Sequence, residues 1–383
     1  MPSETTARST IRTAGKEIVY VPSARGAELK DAPDPGSPGP RQALVRTLRV
    51  GFCGTDREIL RGGIVVLPPG SDGMVIGHEM VGVVEETGPE TALAPGQLVV
   101  PLVRRGCGRC DPCRVGRSDF CLTGDYVEHG ITRLDGFARP WVVLDEDGLV
   151  AVPDALGVLA VLAEPVSVVE KALEQAHHVV ARVPGLDLRG PRWGEGKRAL
   201  VAGVGTIGLL AVYLLTERGF EVECVDLQPP DHLAARLAEA AGASYSQVSS
   251  ERPDEAAAAR TPADVVIEAT GDAHLAFELL RTLGPAGVLV WIGTSDTERT
   301  VAFELGRSVL RAVLNHHAVV ATVNASRTHV EQAVQELTVL RQRARFGELV
   351  TGVLPPERFT EAIFRTDGNI KQVVAFAELD GQP

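Results

Sequence analysis

The chain is 383 residues long, with 44 % hydrophobic and 23 % charged residues and a net charge of −12. That length suits two domains rather than one small core. The acidic balance argues against nucleic acid as a partner, and no run reaches the ~18 consecutive apolar residues of a membrane helix.

Met1 to Gly15 is polar and Thr/Ser-rich, lacks the apolar core of a signal peptide, and reads as a frayed leader of a cytoplasmic protein. The fold is expected to begin near Glu17 to Val21, and the Pro/Gly-dominated segment Pro33 to Pro40 is a connecting loop. Short β-like runs follow, Ala43 to Val50, Met80 to Val84 and Leu98 to Val103, broken by turn residues as in an irregular β domain. From Glu164 the texture changes. Val166 to His177 has helical spacing, and a loop runs from Val183 to Gly196. The segments Arg198 to Val204, Glu221 to Asp226, Asp264 to Ala269 and Gly287 to Ile292 read as strands, with helices over Ile207 to Arg218 and Asp231 to Ala241. Strand alternating with helix predicts a doubly wound parallel sheet. His329 to Leu340 and Pro356 to Phe364 look helical and are expected to return to the first domain.

Gly203-Val204-Gly205-Thr206-Ile207-Gly208 stands between a predicted strand and a predicted helix. Glycines there let backbone approach a pyrophosphate, and the helix N-terminus offers unpaired N–H groups. Asp226, at the end of the next strand, suits the ribose hydroxyls and repels a 2′-phosphate. The following Leu227-Gln228-Pro229-Pro230 holds no cation to offset one, so NAD is favoured over NADP. Thr270 and Gly293, after the two later strands, are assigned to the cofactor as well.

Four of the six cysteines, Cys107, Cys110, Cys113 and Cys121, fall within fifteen residues. Four thiolates at this spacing close a tetrahedron around a structural zinc, with an iron–sulfur cluster as the alternative. Arg104, Arg105, Arg109 and Arg114 are expected to offset the negative charge of such a site. Cys224 lies in an apolar run and reads as a buried small hydrophobe. Cys53, His78 and Glu164 together offer sulfur, imidazole and carboxylate with a fourth position open, as in a catalytic zinc site.

The motifs Cys53-Gly54-Thr55-Asp56, Gly77-His78-Glu79, Arg104-Arg105-Gly106-Cys107-Gly108-Arg109-Cys110, Leu134-Asp135-Gly136-Phe137, Glu164-Pro165 and Thr322-Val323-Asn324-Ala325 span most of the chain. In this set the chain resembles the zinc-containing medium-chain dehydrogenases, and within them the glucose 1-dehydrogenase branch. The resemblance implies an α/β protein: a GroES-like irregular β catalytic domain over residues 1–170, with a zinc lobe at about 104–124 and completion by 325–383, plus a Rossmann doubly wound domain over 171–324. It implies Cys53, His78 and Glu164 as catalytic zinc ligands, with Glu79 as an alternate. Asp56 would accept from the far nitrogen of His78, and Thr55 would begin the proton relay from the reacting hydroxyl. Glu128 and Asn324 match sugar-binding positions, as does Glu164 beside the metal, and Asn324 also matches a position near the nicotinamide. The implied activity is hydride transfer from a sugar or polyol hydroxyl, giving a lactone or a ketone, with two zinc ions per chain. A homodimer or homotetramer paired through an edge strand, here Val288 to Ile292, follows by analogy.

Val103 stands where some glucose-branch members carry a sugar-binding Asn, and His129 stands where a small residue is common. Both are expected to reshape the pocket, and they keep a cyclitol or amino-sugar substrate open. Two further classes compete: a zinc-free quinone or enoyl reductase, disfavoured by the two cysteine sets, and a non-catalytic nucleotide-binding protein, disfavoured because Cys53, His78, Glu164 and Thr55 are all present.

Overall fold

The central strand of the first sheet, Gln42–Gly51, buries Ala43, Leu44, Val45, Leu48 and Val50 completely. Burial on both faces gives a run of apolar residues rather than strict alternation, and each large side chain contributes about 1.5–3 kcal/mol. The computed structural model describes residues 15–186, 188–249, 260–293, 300, 303–364 and 368–379. The expected leader lies outside them except for Gly15.

The chain folds as two units, the first made of residues 1–167, 324–341 and 350–383, the second of residues 168–323 and 342–349. In the first unit Gln42–Gly51 pairs antiparallel with Glu79–Thr87 on one side and Lys371–Ala375 on the other. Trp141–Asp145 pairs with its first half, Trp141 opposite Arg46. The register matters for chemistry. Gly51 lies opposite both Glu79 and Val373, so the residues leaving this strand meet the start of two neighbours. A core of Ile18, Val50, Phe52, Ile76, Phe137, Ile363 and Val374 packs beneath.

Helix Ala163–Val180 follows from apolar residues at helical spacing: Val166, Val169, Leu173, Ala176 and Val180 are all buried. It starts three residues before the predicted Val166, which sets Glu164 in its first turn.

The second unit holds six parallel strands among the described residues. In chain order they are Arg198–Ala202, Glu221–Asp226, Ser244–Gln247, Ala263–Glu268, Leu283–Trp291 and Ala318–Ala321, and in space they run third, second, first, fourth, fifth, sixth. This is the doubly wound order of a Rossmann sheet, with its reversal beside the first strand. Cys224 is buried in the second strand, as its apolar surroundings suggest. One expectation is corrected. The Val288 to Ile292 segment is interior, flanked by Ala263–Glu268 and Ala318–Ala321, and the edge is Ala318–Ala321. That short strand follows an amphipathic helix, Leu305–Leu314, and four residues of mixed exposure carry too little pattern to announce themselves. No helix among the described residues is long and apolar enough to cross a membrane.

Candidate metal centre, sugar-facing pair and dinucleotide turn

Cys53 follows the strand Gln42–Gly51 and caps helix Gly54–Leu60: its sulfur accepts from Thr55 N at 3.3 Å while Asp56 accepts from Cys53 N at 2.8 Å. His78 immediately precedes the strand Glu79–Thr87, and the register brings its Nε2 to 3.3 Å from Cys53 Sγ. A tetrahedral ion with sulfur and nitrogen ligands at about 2.3 and 2.0 Å spaces them roughly 3.5 Å apart. Cys53, Asp56 and His78 form one group of donor atoms within 4.8 Å of each other, and His78, Glu79 and Glu164 form a second, so that His78 is shared and Glu164 joins Glu79.

The electrostatics also fit a cation. Asp56, His78 and Glu79 are buried, and Asp56 Oδ1 and His78 Nδ1 lack a hydrogen-bond partner among the described residues while facing one another at 3.7 Å. Burial raises Asp56 and pushes Glu164 up to about 7, with Glu79 adding to the latter and His78 opposing it. Burial alone would lower His78, yet Asp56 and Cys53 hold it well above the ordinary imidazole range. Asp56, Glu164 and His78 are all shifted upward, which is how an anionic cluster behaves when it is short of positive charge. A divalent ion supplies that charge, and the mixed sulfur, nitrogen and oxygen donors suit zinc.

Lys371, fully buried, is the cation that sequence reasoning missed. It forms an ion pair with Glu79 and donates to Phe52 O at 2.9 Å. A Cβ at Gly51 would clash with Glu79 Oε2, so the pair needs glycine at that strand position. The available signal is a lysine opening an otherwise apolar run, Lys371-Gln372-Val373-Val374-Ala375, at a place where a charge is costly without a partner.

The four clustered cysteines come together as expected, with Cys107 and Cys113 sulfurs 3.8 Å apart. Ligands at about 2.3 Å around a tetrahedral ion are separated by roughly this distance. The Thr123 hydroxyl and nearby backbone N–H groups lower Cys107 to about 5, and Thr123 likewise lowers Cys121 to about 7. The arginines behave otherwise than predicted. Arg104 pairs with Glu128, Arg105 with Asp145, Arg109 with Asp125 and Arg114 with Asp111, so each already has a carboxylate.

Glu128 and Asn324 meet within the first unit: Asn324 Nδ2 donates to Glu128 Oε1 at 2.6 Å, and both are buried. Asn324 has a φ of 61°, a left-handed value that asparagine tolerates, and its Oδ1 accepts from Ala325 N at 2.6 Å. Val103 and His129, the two positions expected to alter the pocket, are bonded to one another through the backbone. Val103 is buried, and its carbonyl accepts from His129 N at 3.0 Å. His129 stacks on Phe137 and holds the Asp135 carbonyl at 2.8 Å; burial lowers it to about 4, so the ring is neutral and donates from Nδ1.

In the second unit Gly203 has a φ of +91° and precedes helix Thr206–Glu217, which starts at Gly205 without a side-chain cap. A Cβ at Gly208 would clash with the Gly203 carbonyl oxygen, so only glycine lets the turn fold back on its helix. Thr206 is buried and Ile207 follows it in the first turn. Asp226 Oδ2 accepts from Val204 N at 2.7 Å and Oδ1 accepts from Gln228 N at 3.0 Å, fixing the carboxylate beside the glycine turn. Thr270 is near: a Cβ on Gly203 would lie 2.8 Å from its methyl group. Glu268, which the motifs did not single out, accepts from Thr270 N, Thr270 Oγ1 and Gly271 N at 2.5–2.8 Å. Gly293 packs against that same turn, too tightly for a side chain.

The family described as "Glucose dehydrogenase C-terminus" matches residues 157–376, and the "Alcohol dehydrogenase GroES-like domain" matches residues 39–154. A glucose 1-dehydrogenase of Methanocella arvoryzae is 39 % identical over 308 residues, covering 80 % of this chain and 83 % of that protein. One from Thermoproteus tenax is 38 % identical over 350 residues, covering 90 % and 94 %. The solved structure of Haloferax mediterranei glucose dehydrogenase in complex with NADP, Zn and gluconolactone superposes with a TM-score of 0.85 at 30 % identity, over 95 % of this chain and 99 % of that one.

Proposed function

The chain belongs to the glucose dehydrogenase family of zinc-containing medium-chain dehydrogenases, and from that premise we propose that it oxidises the anomeric hydroxyl of an aldopyranose to the lactone with NAD. The observation that carries the reading is the Cys53–His78 pair with Glu164 in reach of His78, together with the bond in the same unit that joins Glu128 to Asn324.

Cys53, His78 and Glu164 would hold the catalytic zinc and the four clustered cysteines the structural one. Bound zinc supplies Lewis acidity at the substrate hydroxyl, and the bound nicotinamide accepts the hydride. Asp56 Oδ1 faces His78 Nδ1 at 3.7 Å, where its charge favours the tautomer that leaves Nε2 toward the metal side. Lys371 pairs with Glu79 and brings a positive charge into the buried cluster. Thr55, the first residue after Gly54 in the capped helix, offers the hydroxyl that would begin the relay, accepting the substrate's proton while passing its own on toward solvent. Glu128 and Asn324 fix the sugar through its other hydroxyls.

Two points refine the partners. Asp226 supports NAD, although the Haloferax relative was solved with NADP. A second copy of this chain is proposed at the edge strand Ala318–Ala321, because Leu305, Val309, Leu310, Val313 and Leu314 on the helix before it are each more than half exposed. Light scattering should then give a multiple of 40.6 kDa, and a monomer mass at micromolar concentration would rule this out. A cytoplasmic setting is consistent with thiols kept as metal ligands rather than disulfides.

The test is NADH formation by zinc-replete protein with D-glucose, matched aldoses and inositols, together with identification of the product. Aldose turnover to a lactone is expected. Turnover of inositols alone would sink the aldose reading while keeping the zinc mechanism.

A further inference from the structure

We infer that Arg104 is a positioning residue for sugar recognition, holding the Glu128 carboxylate in place with a single oxygen left for a substrate hydroxyl. This rests on the reading of Glu128 as a sugar contact.

Glu128 Oε1 is crowded with donors: Arg104 Nε at 2.9 Å, the terminal Nη2 of the same guanidinium at 2.8 Å, and Asn324 Nδ2 at 2.6 Å. Oε2 is different. Its one donor among the described residues is the Thr132 hydroxyl, at a long 3.3 Å. A carboxylate has about four lone-pair directions, so Oε1 is filled and Oε2 has capacity to spare. Asn324 Nδ2 spends one hydrogen on Glu128 and keeps the other for a sugar, while its Oδ1 accepts from Ala325 N. The pair therefore offers a substrate an acceptor at Glu128 Oε2 and a donor at Asn324 Nδ2.

Arg104 is built to hold this arrangement. It is buried, its Nη1 donates to the Asp119 carbonyl at 3.1 Å, and its guanidinium lies 3.9 Å above the Tyr126 ring. Asp119 is itself buried and gripped by both ends of the Arg117 guanidinium, at 3.1 and 3.0 Å. Asp119 falls between Cys113 and Cys121, so the cysteine lobe and the sugar-facing carboxylate share one planar cation. A lysine in its place is a single point charge that cannot span both partners. A sugar hydroxyl must then donate to Oε2, and an analogue lacking that hydroxyl leaves a buried charge under-satisfied.

The test uses full-length, zinc-loaded protein with saturating cofactor and D-glucose as substrate, comparing wild type with R104M, R104K, E128Q and the double variant R104M/E128Q. R104M is expected to raise the D-glucose KM about 10- to 100-fold with kcat within roughly threefold, unchanged cofactor KM and unchanged zinc content. The double variant should be no worse than E128Q by more than about twofold, because the two groups act as a unit. A merely structural Arg104 would give multiplying effects and a lower kcat instead, and either overturns the proposal. Should R104M fail to fold, R104K carries the test: it keeps the charge and should still raise KM, and a wild-type KM in R104K counts against the inference. An unchanged D-glucose KM in E128Q removes Glu128 from the sugar site and takes the premise with it. A raised KM in E128Q with a normal one in R104M sinks the role of Arg104 alone.

Discussion

Cys53→Ser should lower aldose turnover at least about 10³-fold, close to 4 kcal/mol of transition-state stabilisation, and remove one zinc per chain. Serine is the informative replacement. Cys53 sulfur caps helix Gly54–Leu60 by accepting from Thr55 N, and a serine hydroxyl serves that role as well or better. The hydroxyl is a poor zinc ligand where the thiolate is a good one, so the variant separates metal binding from folding. Zinc content by mass spectrometry should fall by one ion while the thermal midpoint of the metal-free protein stays within a few degrees. A variant that keeps its zinc and its turnover would mean that Cys53 is only a helix cap. An alanine at the same place would confuse the two, because loss of the cap alone costs about 0.5–2 kcal/mol.

Asp226→Ala is expected to shift the ratio of kcat/KM for NAD over NADP about 30- to 100-fold toward NADP. On the proposed reading two losses combine: a carboxylate that would accept from ribose hydroxyls, and a negative charge that would oppose a 2′-phosphate. The carboxylate is tied to Val204 N and Gln228 N, so the charge is fixed rather than free to swing away. The next four residues, Leu227-Gln228-Pro229-Pro230, include no cation that could reverse the preference in the native chain. Initial rates with each cofactor at a constant sugar concentration measure the ratio. A native protein that already prefers NADP, or a D226A ratio equal to the native one, would remove Asp226 as the discriminating group. Neither outcome would touch the zinc chemistry.

Motifs whose meaning lies in local spacing are legible in the sequence itself. The glycine turn is such a case: Gly203 needs a positive φ and Gly208 has no room for a side chain, both within one six-residue stretch. The alternation of apolar runs with helical stretches likewise points to the parallel sheet, and Cys107 to Cys121 cluster because a short loop can bring them together. Glu164 is harder to place, since the helix begins three residues ahead of the apolar pattern that signals it. The edge strand Ala318–Ala321 escapes sequence reading because four residues alternating between half-buried and exposed look like loop. It becomes a strand only through pairing with Leu283–Trp291.

What the chain by itself determined was the kind of chemistry on offer: which donors can ligate, which turn has room for a pyrophosphate, which carboxylate stands at the end of the next strand. Tertiary structure decided how the charges are partnered. The Arg104, Arg105, Arg109 and Arg114 side chains, close in sequence to the cysteines, turn to carboxylates instead. Asn324 reaches Glu128 across 196 positions, and Lys371 reaches Phe52 across 319. A charge that must be buried is stable only with a partner, and that partner is chosen by strand register and packing, over distances along the chain that no local pattern encodes.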